Sequence, residues 1–108
     1  MTDYSKMSDG EINWQVAFHI GLRTVELAEE GEFDPCNNPA DAWPIITDMR
    51  PIIIPERSKS GKWSIGVNIG KTLHEIDRKD NNLTYVDANL LRGCMIVFLM
   101  MKDAQSKN

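Results

Sequence analysis

Apolar residues recur along this chain at spacings that separate helices from strands. Ile12, Val16 and Ile20 repeat at helical intervals with Ala17 beside them, and Trp14 and Phe18, four apart, form a second apolar ridge. Ser8-Asp9-Gly10-Glu11 is a capping box, with Ser8 at the N-cap and Glu11 at the third helical position. Met7 and Ile12 supply the matching hydrophobic staple. The spacing predicts a first helix over residues 8–22, closed at Gly21 or Gly31. Asn38-Pro39 is an N-cap and first-turn pair, and Asp41 complements the positive helix end. A short second helix is expected over residues 39–49, kinked at Pro44 and halted by Pro51.

The period then changes from helical to two. Ile52-Ile53-Ile54 reads as a buried strand closed by Pro55. Beyond the turn at 57–61, Trp63, Ile65, Val67 and Ile69 alternate with Ser64, Gly66, Asn68 and Gly70. An antiparallel hairpin of residues 51–55 with 62–69 follows. Asp77 to Asn82 reads as a turn, with further short strands near Leu73–Ile76 and Leu83–Val86. A third helix is expected over residues 88–102, with Asp87 at its N-cap. Leu91, Cys94, Met95, Phe98 and Met101 form its stripe, while Ile96, Val97, Leu99 and Met100 fill the other faces. A helix apolar all round must be covered all round, which points to a homo-oligomer. The expected architecture is a single α+β domain over residues 1–108, three helices on a small antiparallel sheet.

Composition narrows what such a domain does. With 108 residues, 42% hydrophobic and 26% charged, the chain supports one core. A formal charge of −4 argues against a partner bound through a nucleic-acid backbone. The longest apolar run, Cys94 to Met101, is eight residues, against the ~20 a membrane span needs. Without a basic start and apolar stretch at the beginning, Cys36 and Cys94 are expected to be free thiols in a reducing cytoplasm. His19 and His74 stand in no metal-ligand spacing with them, so neither a metal nor a cofactor is expected.

Gly66-Val67-Asn68-Ile69-Gly70-Lys71-Thr72 is not a phosphate loop. It has three residues between its glycines where that loop needs four, and it lies on an alternating strand. No serine stands in a nucleophile elbow, and no histidine pairs with a nucleophile in a recognisable motif, so an enzyme is not expected. The richest stretch is residues 36–43. Carboxamides, a carboxylate and an aromatic gather there at a helix N-terminus, where unpaired N–H groups favour an anion. The candidate ligand-binding set is Cys36, Asn37, Asn38, Asp41 and Trp43, with Arg92 adding charge and Trp63 a stacking face. The plainer alternative is that Asn37 and Asn38 cap, Asp41 serves the dipole and both tryptophans are core.

Three stretches carry a family resemblance: Asp3 to Asn13, Asp34-Pro35-Cys36-Asn37-Asn38-Pro39-Ala40-Asp41-Ala42-Trp43-Pro44-Ile45-Ile46, and Asn89 to Met101. Together they resemble the NinX family of small proteins of lambda-type phages and prophages. In the last stretch the family pattern is Asn-Pro-Leu-Arg-Ala-Ala, and this chain departs from it at Leu90, Gly93 and Cys94 while keeping Arg92. The resemblance implies a phage accessory protein, made in the cytoplasm of the infected bacterial host and dispensable for building virions. By analogy of setting, small phage proteins of this kind counter host defences. The leading expectation is sequestration of a small nucleotide-like ligand, with phosphates at the Asn38 helix end near Arg92 and a base on Trp43 or Trp63. The rival is a protein–protein inhibitor of a host enzyme. The third is a hydrolase using Cys36, Asp41 or a histidine.

Overall fold

The computed structural model describes residues 3–56, 61–70 and 82–106. A single 3-10 turn, Tyr4–Lys6, leads into α1 (Asp9–Ile20). The capping box forms in full: Glu11 N–H donates to Ser8 Oγ at 3.1 Å, and Ser8 N–H donates to Glu11 Oε1 at 3.3 Å. Gly21, at φ 152°, ends α1, and a second helix, α2 (Leu22–Glu29), begins at once. Both glycines flagged in the sequence therefore punctuate the chain, Gly21 between the helices and Gly31, at φ 77°, after the second. The helix expected over 8–22 is α1, and α2 is a further helix that the spacing did not predict.

α3 (Pro39–Met49) runs on through Pro44 and ends on Arg50 in the left-handed conformation, φ 54°. Asn38 caps it as expected, accepting from Ala40 N–H at 3.0 Å. Three antiparallel strands follow in the order β1 (Ile52–Pro55), β2 (Trp63–Asn68), β3 (Asn82–Asp87). Ile53 faces Ile65, which faces Tyr85; Ile52 faces Gly66, which faces Thr84. The strand expected at 83–86 is β3. The strand expected at 73–76, most of the turn after it, and the turn at 57–60 lie outside the described residues. The last helix, α4 (Leu90–Ser106), starts two residues later than expected. Its cap is Asn89, whose Oδ1 accepts from Arg92 N–H at 3.2 Å, while Asp87 accepts from Asn89 N–H.

The α+β class holds, with four helices among the described residues where three were expected. α4 is the axis of the core. It packs on β2 and β3 with one side, and on α1 and α3 with the others. Every residue from Gly93 to Leu99 is buried. An all-apolar helix is thus covered within its own chain, and its composition no longer requires a second copy. Gly93 brings the helix against the sheet: a Cβ there would overlap Cδ1 of Ile65. The sheet's opposite face carries Ile52, Ile54 and Val86, all exposed.

Candidate functional site

The block at residues 34–41 meets the N-terminal ends of α1 and α4 in one polar cluster. Asn13 is its buried centre, the one polar residue on the covered face of α1. Its carboxamide donates to Asp34 Oδ1 at 2.7 Å and accepts from Cys36 N–H at 3.1 Å, so both ends of the amide are satisfied. Asn37 Nδ2 donates to Asp9 Oδ2 at 3.0 Å and to both carboxylate oxygens of Asp34. Asp41 reaches back to accept from Asp34 N–H at 3.0 Å. Asn89 donates to Cys36 O at 2.9 Å, tying the start of α4 to the same loop.

Arg92 closes the cluster from the other side. Its Nη1 donates to Asp9 Oδ1, its Nη2 to the carbonyls of Met7 at 2.7 Å and Ser5 at 3.2 Å, and its Nε lies 3.4 Å from Asp87 Oδ2. Burial alone would lower its pKa. The hydrogen bond and charge of Asp9, followed by the charge of Asp87, outweigh that and hold the guanidinium above its ordinary value. Cys36 sits fully buried beside these carboxylates. Desolvation first, and the charge of Asp9 second, push its thiol up to about 12, a state without nucleophilic power near neutrality.

The structure therefore brings together Cys36, Asn37, Asp41 and Arg92, with Asn38 at the edge capping α3. Neither Trp43 nor Trp63 takes part in the hydrogen bonds of the cluster. Trp43 stands out from α3 with 64% of its surface exposed. Trp63 lies on β2 opposite Asp87, half buried against the core. The α3 amides expected to receive an anion are engaged, Ala40 N–H by the Asn38 side chain and Asp41 and Ala42 N–H by Asn38 O. Asp9, Asn13, Asp34, Asp87 and Asn89 are the partners that sequence reasoning missed. Asn13 had a signal, an amide set inside an apolar helical stripe. Asp9 pairs with Arg92 across 83 residues of chain and Asn89 with Cys36 O across 53, and no local pattern marks those contacts.

A family model described as "Bacteriophage P22, NinX" matches residues 3–102. The chain belongs to the NinX family of phage proteins. The matched stretch of this NinX chain contains the whole polar cluster and the three described strands. Comparison with curated proteins and with solved structures returns no match. Among the described residues of the NinX chain, no helix is long and apolar enough to cross a membrane, and no group of three metal-ligating side chains occurs.

Proposed function

We propose that this NinX chain is a non-catalytic accessory protein that acts in the cytoplasm of the infected host by occupying a host protein, and so counters a defence. The observation that carries the reading is where the chain directs its chemistry. The Arg92 donors and the α3 amides turn inward to groups of the same chain, while large apolar side chains turn outward. A phosphate entering the cluster must displace Asp9 or backbone carbonyls from Arg92, exchanging one set of charge-assisted bonds for another. A protein surface meeting Ile52, Ile54 and Val86, or Phe18 and Leu22, displaces only water. The buried, protonated Cys36 thiol speaks against the hydrolase alternative.

Capture of the tagged chain from infected cells, followed by mass spectrometry under native conditions, tests the reading. The expected complex holds a single host polypeptide in a fixed ratio and releases no small molecule on heating. An intact nucleotide released on heating would restore the nucleotide-like ligand as the target. A chemically altered one would establish catalysis.

A further inference from the structure

The ridge of Trp14 and Phe18 is spare hydrophobicity. α1 covers Ile12, Val16 and Ala17 with the core, yet Phe18 remains 62% exposed. Its ring stacks on Trp14 at 5.8 Å between centroids, and two further exposed apolar side chains, Ile20 and Leu22, the latter 84% exposed, flank Gly21 where α1 gives way to α2. The neighbouring helix α2 is set there in an unusual way. It has no buried residue, and Gly21 gives its N-terminus no side-chain cap. Its charges also run against its dipole. Arg23 lies in the first turn, whereas Glu26, Glu29 and the cap residue Glu30 stand at the negative end with no basic residue in the last turn.

These two features share one surface, because Trp14 Nε1–H donates to Glu29 Oε1 at 3.4 Å. Residues 10–32 hold five carboxylates, Glu11, Glu26, Glu29, Glu30 and Glu32, against Arg23 alone, and Arg23 is itself 3.6 Å from Glu26. A folded helix with reversed charges and an aromatic strip left in water is a local conflict that a partner relieves when it brings both apolar surface and positive charge.

Resting on the host-protein reading above, we propose that the α1–α2 hairpin is the docking surface and that its occupant is a cationic amphipathic helix of the partner protein. The occupant's apolar face lies along Trp14, Phe18 and Leu22, and its lysines or arginines meet the carboxylates at the end of α2. A second copy of this chain supplies the same acidic end rather than a basic one. An anionic lipid surface is repelled by it.

The test uses the full-length chain, isotope-labelled, and two synthetic helical peptides with one leucine face in common. One carries lysines on its polar face and the other glutamates. The lysine peptide is expected to shift the amide signals of α1 and α2, with an affinity that falls as salt is raised. The glutamate peptide is expected to leave them in place. Glu29→Gln with Glu30→Gln should weaken binding by roughly tenfold. Phe18→Ser with Leu22→Ser should abolish it while the melting temperature holds, since both side chains are exposed. Equal binding of the two peptides, or binding retained by the Phe18→Ser and Leu22→Ser protein, overturns the proposal. So does a dimer in light scattering that the same substitutions dissociate, or adsorption to phosphatidylglycerol vesicles through the ridge. Host-polypeptide capture that survives these substitutions rejects this surface and leaves the host-protein reading standing. Peptide binding at the ridge without any captured polypeptide does the reverse.

Discussion

Replacing Gly93 with alanine sets two effects of opposite sign against each other. Glycine inside a helix is worse than alanine by about 1 kcal/mol, so propensity alone favours Gly93→Ala. The new Cβ, however, would overlap Cδ1 of Ile65 and stand 3.2 Å from Cβ of Asp87. Ile65 is fully buried on the central strand, and Asp87 is held by its register with Trp63 and by Arg92, so neither can step aside freely. Overpacking of this kind costs about 1–3 kcal/mol, leaving a net loss of up to about 2 kcal/mol. The sharper measurement is the cycle with Ile65→Val, which removes Cδ1. Alone, that change costs about 0.5–1.5 kcal/mol; on the Gly93→Ala background it also relieves the overlap. Urea unfolding of the four proteins should give a coupling of about 1–2 kcal/mol at constant m-value, with the double variant more stable than the sum of the single losses. Thermal midpoints should move by about 4–8 °C per kcal/mol. Additivity within about 0.5 kcal/mol would refute the claim that α4 is seated on Ile65 at this glycine.

Four further outcomes follow from the polar cluster and the thiols. Asn13→Ala should destabilise by about 2–3 kcal/mol, because it strands the buried Cys36 N–H, whereas the exposed Asn37→Ala should cost about 1 kcal/mol; denaturant midpoints give the ranking. Arg92→Lys should lose about 2–3 kcal/mol in the same assay, since an ammonium cannot reach Asp9, Asp87 and two carbonyls as a planar fork does. Burial holds the Cys36 thiol up at about 12 and that of Cys94 at about 11, against an ordinary 9.0. Folding therefore favours the protonated thiols. Their contribution is intact below pH 9 and lost as pH rises through 11 to 12, a decline that Cys36→Ala should flatten in a stability profile. Neither thiol should react with a disulfide reagent at neutral pH until denaturant is added, and reductant should leave the melting curve unchanged.

Features of this chain governed by neighbours within a few residues could be read directly. The Ser8–Glu11 box, the Asn38 cap and the alternation of Trp63–Asn68 form as written, because each depends on hydrogen bonds or side-chain periodicity within one element. Composition and spacing also sufficed for the α+β class, and the residues quoted from 34–46 for the family. What lies beyond depends on which surfaces meet. The apolar α4 suggested a second copy, yet its own sheet and helices cover it, since a three-stranded face and two helices together surround a cylinder that either alone leaves half open. Arg92 looked like a ligand's counter-charge until the fold placed Asp9 against it beside the nearby Asp87, and no short pattern links Arg92 to Asp9, 83 residues away. Trp14 and Phe18 share the helical spacing of core residues, but spacing says only that two side chains share a face, and the tertiary packing left that face of α1 turned to water.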